Sequence, residues 1–221
     1  YQDYVEDLYI DRCMKRINET IKLSNSNNFI LNPITINGSK IPNPITRVLE
    51  IVRANRDQLI PEYLCTVHGQ LGPSHILIDT SKLNNYKLID PKGFNILHDP
   101  LLDFIKVGRA LLFGMEWLED NLFEIDCELI NSHLTINNFE VINYDSKLMN
   151  SVFQPLLDYI KVNYRNAELR LYSLICCDLI ANLPFAFISG GEKRVAAILM
   201  LLNNALEKLL ELDIVSKGEE E

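Results

Sequence analysis

The sequence is poor in positive charge. Its 21 Lys and Arg residues are outnumbered by 30 Asp and Glu residues, and the formal net charge is −9 at pH 7. Proteins that bind nucleic acids cluster Lys and Arg against the phosphates. We therefore expect no nucleic-acid partner, although an acidic chain remains compatible with a small cationic substrate.

Cysteine is also scarce, and long apolar runs are missing. The five Cys residues are scattered and lack the paired spacing of a metal site, which favours reduced, mostly buried thiols. No apolar run reaches the ~20 residues that a membrane span needs, and no signal-peptide pattern opens the sequence. We therefore expect a cytoplasmic protein that has no membrane partner.

One glycine pattern is absent as well, because G-x-G-x-x-G occurs nowhere in the sequence. The 221 residues, 48% of them hydrophobic, are enough for one globular domain with a sizeable core. We predict a single domain over residues 1–216 and a flexible acidic tail over residues 217–221.

Helical spacing of apolar residues dominates the chain. The pair Asn37-Gly38 between alternating apolar residues predicts a β-hairpin, and a second hairpin is predicted to turn at Asn137-Asn138. Residues 166–183 are apolar nearly all round, which is typical of a buried central helix. The other predicted helices cover residues 1–23, 45–58, a segment that begins at Asp99-Pro100, 146–163 and 192–212. The expected fold class is α+β, predominantly helical, with small β-hairpins.

Polar residues of chemical interest concentrate between Cys65 and Asp103. The stretch reads C-T-V-H-G-Q-L-G-P-S-H-I-L-I-D, then Y-K-L-I-D-P-K-G-F, then H-D-P-L-L-D-F. Two short apolar runs, 76–78 and 86–89, predict a hairpin with polar residues at its mouth. Polar groups on loops that a rigid hairpin holds are typical of a functional site.

This pattern resembles the catalytic core of kinase-like phosphotransferases. The protein-kinase form is H-R-D-x-x-x-x-N followed by D-F-G. The aminoglycoside phosphotransferase and choline kinase branch has H-G-D-x-x-x-x-N and then I-D near the end of the next strand. His68-Gly69 and Ile89-Asp90 match that branch. The resemblance is close over residues 63–108 and implies that the chain is the helical C-terminal lobe, without the N-terminal lobe.

The resemblance assigns catalytic or metal-binding positions to three residues. Gln70 stands at the position of the catalytic base Asp, His75 at that of the metal-binding Asn, and Asp90 at that of the second metal ligand. We expect these three side chains to converge on one cleft, because the motif spacing puts them at the mouth of one hairpin.

Three further residues receive supporting roles from the resemblance. His68 and Asp103 would hold the loop, and Lys92 would meet a phosphate of a bound nucleotide. The alternatives are a surface Asp in the first turn of a helix for Asp103 and a solvated turn lysine for Lys92.

The resemblance implies ATP-dependent phosphoryl transfer, assisted by Mg²⁺, to a hydroxyl of a small molecule. The amide of Gln70 cannot take a proton near neutral pH, and the imidazole of His75 suits zinc better than magnesium. The leading hypothesis is therefore a phosphotransferase domain that is inactive or weakly active.

Other interpretations stay open. One is a non-catalytic pseudokinase-type scaffold that binds a protein partner. Another is an active enzyme whose N-terminal lobe lies on a missing segment. A third is a metal site built from His68, His75 and Asp90, with His98 nearby in sequence. Finally, Gln70 and His75 could be ordinary turn and strand-entry residues.

Overall fold

The computed structural model describes residues 2–25, 28–82, 84–92 and 97–218. The fold is α+β and predominantly helical, as the sequence predicts. The helices are α1 (Gln2–Val5), α2 (Arg12–Leu23), α3 (Pro44–Ala54), α4 (Leu102–Phe113), α5 (Met115–Glu119), α6 (Ser146–Asn163) and α7 (Ala167–Gly218). The strands are β1 (Ile34–Ile36), β2 (Ser39–Ile41), β3 (Ile76–Ile78), β4 (Tyr86–Leu88), β5 (Phe123–Ile130) and β6 (His133–Val141).

The predicted N-terminal amphipathic helix is present, with one irregularity. Helices α1 and α2 are joined by a π-helical segment, Glu6–Asp11. Tyr9, Cys13 and Ile17 are fully buried on the inner face. This face packs against α7, which fixes the N-terminal segment on the core.

A four-stranded mixed sheet has the strand order β2-β1-β6-β5. Strands β1 and β2 form the predicted hairpin, and both turn residues, Asn37 and Gly38, have positive φ. The pairing of β1 with β6 is parallel, whereas β5 and β6 are antiparallel. Both β5 and β6 contact α7, so the sheet lies against the central helix.

The second hairpin turns at a different place from the predicted one. The chain reverses at Asn131-Ser132, where both residues have positive φ, and Asn137-Asn138 lie inside β6. The register shifts between Asp126 and Cys127, opposite these two asparagines. The prediction was wrong because the alternating burial of residues 123–130 makes them a strand, so that the reversal comes earlier.

Helix α7 forms the centre of the molecule. It packs against α2, α3, α4 and α6 and supplies much of one continuous hydrophobic core. The stretch Ala167–Ile214 is long and apolar enough to span a membrane by length and composition, but 78% of its most apolar window is buried inside the protein. This extent of burial is typical of a core helix.

Two features of α7 differ from the sequence-based expectations. The helix predicted over residues 166–183 continues through Pro184, and the interruption falls at Gly191 (φ 60°, ψ −149°), directly before the helix predicted over residues 192–212. The helix then continues to Gly218, so the predicted tail, residues 217–221, overlaps its end. The remainder of that tail lies outside the described residues.

Strands β3 and β4 form a separate two-stranded hairpin. It follows the His68-Gly69 turn and precedes α4. Helix α4 begins after Asp99, whose side chain accepts a hydrogen bond from the Leu101 amide at 2.8 Å. The hairpin, the turn and the start of α4 therefore come together around the residues singled out in the sequence.

Replacing Gly191 with Ala should lower the free energy of unfolding by about 1–3 kcal/mol, because its φ and ψ are accessible almost only to glycine. Urea denaturation would measure the change. The matched control is Gly72→Ala, since Gly72 is extended (φ −98°) and its Cβ would meet only ordinary contacts of 3.5–3.8 Å. Equal stability of Gly191→Ala and the wild type would contradict this expectation.

Candidate functional site

A single carboxylate holds the His68-Gly69 turn. Asp103 lies in the first turn of α4, and its Oδ2 and Oδ1 accept hydrogen bonds from the backbone amides of His68 (2.9 Å) and Gly69 (2.7 Å). Gly69 has φ 75°, a conformation that favours glycine. The turn is therefore fastened to the helical core, and the next residue, Gln70, is held at its tip.

The ring of His68 connects the same turn to the end of β4. Its Nε2 lies 2.9 Å from the carbonyl oxygen of Ile89, and the amide of Gln70 donates to its Nδ1 at 3.3 Å. Nδ1 therefore accepts a hydrogen bond, and Nε2 donates one to a carbonyl oxygen. This places the proton of the ring on Nε2. The carbonyl of His68 also accepts from the amide of Lys92 at 2.9 Å. His68 therefore ties the turn to both ends of the Ile89–Lys92 segment.

His75 and Asp90 face each other across the hairpin mouth. His75 Nδ1 is hydrogen-bonded to the carbonyl oxygen of Gln70, and its Nε2 lies 3.9 Å from Asp90 Oδ2. Because Nδ1 meets a carbonyl, it carries a proton, and Nε2 is directed toward the carboxylate. The Asp90 side chain is 75% exposed and its backbone has φ 57°. His75 and Asp90 thus lie at one mouth, and Gln70 is joined to His75 through its backbone carbonyl oxygen, while the convergence of all three side chains stays a prediction.

The donor set at this mouth does not suit magnesium. It offers one carboxylate and one imidazole, whereas Mg²⁺ prefers oxygen ligands in octahedral geometry. Among the residues that the structure describes, no group of three or more His, Cys, Asp and Glu side chains could hold a metal ion. His98 does not join His68 and His75, because its backbone pairs with Cys65 and its side chain lines the cavity behind the turn.

A cavity of about 220 Å³ lies behind the Gln70 turn. Its walls come from the N-terminal helix, the turn, α4 and α7. The residues that line it are Leu8, Arg12, Gly69, Gln70, Lys92, His98, Leu102, Ile105, Lys106 and Asp178. A larger cavity of about 390 Å³ lies beside Tyr144 and Tyr172 but is lined by none of the predicted site residues.

Asp178 on α7 is the buried carboxylate of this cavity, with a side chain only 1% exposed. Arg12 Nη2 lies 3.1 Å from its Oδ1, while Lys106 Nζ (3.3 Å) and Arg109 Nη1 (3.2 Å) approach its Oδ2. Burial alone would raise the pKa of Asp178, but the charges of Lys106, Arg109 and Arg12 outweigh it and hold that pKa well below its usual range. Asp178 is therefore ionised and shared by three cations.

Lys92 faces the same cavity. Burial lowers its pKa, and the nearby positive charges of Arg12 and Lys106 lower it further. The resemblance implies that Lys92 meets a phosphate of a bound nucleotide, and this stays a prediction. In the structure, Lys92 is an exposed residue that borders the cavity.

Sequence reasoning did not identify Arg12, Lys106 or Asp178. One signal for Asp178 was present, because it is the only charged residue between positions 171 and 191 of a helix that is otherwise apolar. A charge in a buried helix requires a partner of opposite charge. The partners could not be chosen from sequence, since Arg12 is 166 positions away.

The sequence matches no protein-family model, no curated protein and no solved structure.

Replacing Asp103 with Ala should expose the amides of His68 and Gly69 to solvent exchange. Loss of hydrogen bonds to a charged acceptor corresponds to at least about tenfold faster exchange. Hydrogen–deuterium exchange resolved by NMR would measure it. Asp79→Ala is the matched control, because Asp79 also accepts a backbone amide, that of Ser81 at 2.9 Å, but on the far end of the hairpin. Unchanged exchange at positions 68 and 69 in Asp103→Ala would contradict the assigned role.

Replacing Asp178 with Asn should destabilise the protein by about 3–5 kcal/mol at pH 7, because three cations lose their buried counter-charge. A carboxylate whose folded pKa is depressed stabilises the fold above its unfolded pKa of about 3.9, and this stabilisation is lost as pH falls below that value. The difference between wild type and variant should therefore shrink below about pH 4.

Urea denaturation between about pH 3 and pH 7 would test this dependence. Asp126→Asn serves as the control, since Asp126 is exposed on β5. It should alter stability little across the same range. If the stability difference between the wild type and the Asp178→Asn variant stays constant with pH, Asp178 is not an ionised buried partner.

Proposed function

We propose that this chain is the helical C-terminal lobe of a kinase-like phosphotransferase, of the aminoglycoside phosphotransferase and choline kinase branch, whose transfer site is altered. The observation that carries the proposal is the pair of hydrogen bonds from the His68 and Gly69 amides to Asp103. They hold the turn so that the backbone carbonyl of Gln70 meets His75, whose ring faces Asp90. This proximity supports the proposal, because the motif spacing predicts that these three positions lie together.

Phosphoryl transfer by this site is weak or absent. A general base at position 70 would accept the proton of the substrate hydroxyl, and such a base contributes about 10²–10⁴-fold to the rate. The amide of Gln70 can orient a hydroxyl but cannot accept its proton near neutral pH. The proposed role is therefore to bind a small molecule at the turn rather than to turn it over rapidly.

The altered metal position reinforces this conclusion. Asp90 keeps a hard oxygen ligand, but His75 replaces a neutral oxygen by an imidazole nitrogen. Among the described residues, no glycine-rich phosphate loop and no second carboxylate at the mouth replaces this ligand. We therefore assign no magnesium ion and no ATP to the chain as it stands, and both remain features that the resemblance alone implies.

The exposed hairpin favours a second function, a non-catalytic interaction module. Leu77, Ile78, Tyr86 and Leu88 are between 47% and 62% exposed. Residues on both faces of this two-stranded ribbon are apolar, and an isolated two-stranded hairpin is marginally stable in water. A protein partner, or a second lobe, would cover these side chains. In this interpretation the chain keeps the fold as a scaffold.

Restoring the two altered positions tests the leading proposal. The double variant Gln70→Asp with His75→Asn should bind Mg²⁺ at least about tenfold more tightly than the wild type, because a second carboxylate and a neutral oxygen then face Asp90. Calorimetric titration with Mg²⁺ would measure the gain. Asp and Asn are both frequent in turns, so we expect little loss of stability.

Adding Asp90→Asn to the double variant provides the matched control and should remove the gained affinity. Equal Mg²⁺ binding in wild type and double variant, or none in either, would favour the scaffold over the altered phosphotransferase. Tight zinc binding by the wild type that His75→Asn abolishes would contradict both interpretations of this mouth.

A further inference from the structure

The outer face of α6 carries a stripe of apolar side chains that are exposed to solvent. The stripe consists of Leu148, Val152, Pro155, Tyr159 and Val162. Leu148, Val152 and Tyr159 are between 53% and 55% exposed, and Val162 is 85% exposed. Contiguous apolar patches of several hundred Å² on a protein surface mark interaction sites.

Helix α6 thus has two apolar faces, whereas a surface helix normally has one. Its inner face buries Phe153, Leu157 and Ile160 in the hydrophobic core. The outer stripe lies roughly opposite, because residues that are three and four positions apart return to the same side of an α-helix. The inner face already attaches α6 to the protein, so the outer stripe fits a partner outside the chain.

The spacing of the stripe is typical of paired helices. Its members follow one another at intervals of four, three, four and three residues, which is the heptad pattern of coiled coils. Pro155 lies within one continuous helix, Ser146–Asn163, so it does not interrupt the stripe. The surface therefore fits another α-helix that carries an apolar stripe of similar length.

The stripe is nearly symmetric about its middle residue. Leu148 and Val162 lie seven positions before and after Pro155, while Val152 and Tyr159 lie three and four positions from it. A two-fold axis at Pro155 would therefore bring Leu148 of one copy next to Val162 of the other. An antiparallel pair of α6 helices can bury both stripes completely, as an isologous interface requires, and it also opposes the two helix dipoles favourably.

The charged groups beside the stripe balance one another. Residues 145–168 contain three acidic and three basic side chains, although the whole chain has a formal net charge of −9. Lys161 pairs with Glu168 at 2.9 Å, and on the neighbouring α7 Lys208 pairs with Glu211 at 2.9 Å. The rim of the stripe is therefore polar without net charge, so two copies do not repel each other at this face.

The apolar surface continues beyond the end of α6. The ring centroid of Tyr164 lies 6.5 Å from those of Tyr159 and Tyr63, and Tyr63 is 46% exposed. Two stripes with these tyrosines and their flanking residues would bury roughly 1,200 Å², the lower limit for a specific interface. This area favours a reversible dimer over a permanent one.

We propose that the stripe on α6 is a self-association surface, through which two copies of this chain pair by antiparallel α6 helices. The stripe shares no residue with the turn at Gln70. The proposal therefore goes beyond the proposed function and holds for an altered phosphotransferase and for a scaffold alike.

Sedimentation velocity tests the proposal on the full chain. Between about 1 and 200 μM, the wild type should show an equilibrium of monomer and dimer. Val152→Glu should raise the dissociation constant at least about 100-fold, because each dimer would then bury two carboxylates close to the axis. Val152 is exposed in the monomer, so the variant should keep its fold, which urea denaturation would check.

Ile188→Glu provides the matched control. It also replaces an exposed β-branched residue by a carboxylate, but Ile188 lies on α7, outside the stripe, and is 70% exposed. This variant should dimerise like the wild type.

Oxidative cross-linking tests the orientation of the two helices. Pro155→Cys should link two copies above the wild-type background, because position 155 lies at the axis. Val162→Cys should stay at that background, since antiparallel pairing separates the two copies of position 162 by about 20 Å along the helices.

A wild type that stays monomeric at about 200 μM, equal weakening by Val152→Glu and Ile188→Glu, or equal cross-linking at positions 155 and 162 would each overturn the proposal. A monomeric wild type that sediments with phosphatidylcholine vesicles, and loses this binding in Val152→Glu, would assign the stripe to a membrane surface instead.

Discussion

The buried ion pair between Arg170 and Asp99 supports the whole site. Both side chains are almost completely buried, and Arg170 Nη2 lies 2.6 Å from Asp99 Oδ1. The same Asp99 oxygen accepts the amide of Leu101 and so directs the chain into α4. Helix α4 then presents Asp103 to the turn at His68-Gly69. The ion pair on the central helix therefore fixes the start of α4, and α4 in turn positions the loop that carries Gln70.

The turn separates two different chemical environments. On the hairpin side, His75 and Asp90 lie at an open mouth, with the Asp90 carboxylate exposed to solvent. On the core side, Arg12, Lys106 and Arg109 surround the buried carboxylate of Asp178. Gln70 joins the two sides, because its backbone carbonyl oxygen bonds His75 and the residue also borders the cavity on the core side.

Sequence patterns predicted the local features and the part of the site that is continuous in sequence. Helical periodicity located the N-terminal helix and the buried central helix, and Asn37-Gly38 located a turn, because each signal depends on neighbouring residues. The prediction of a turn at Asn137-Asn138 was wrong. These two asparagines lie at a bulge inside a strand, and the chain reverses at Asn131-Ser132 instead. The motif spacing predicted that positions 70, 75 and 90 converge; in the structure His75 faces Asp90, and Gln70 reaches His75 through its backbone carbonyl oxygen. It could not reveal the wall of the cavity, whose residues come from three helices that only the tertiary packing brings together.

The π-helical segment Glu6–Asp11 has a consequence for the length of the N-terminal helix. On one side of it, the hydroxyl of Tyr4 accepts the amide of Asp99 at 2.8 Å, and on the other side Arg12 reaches Asp178. A π turn accommodates one more residue than an α turn, so it rotates the two halves of the helix relative to each other. Winding the same residues as regular α-helix would turn Arg12 by about 100° away from its present direction relative to Tyr4. The π-helical segment thus lets one helix direct Tyr4 to Asp99 and Arg12 to Asp178. In a regular α-helix of the same sequence, Arg12 would lie on another face.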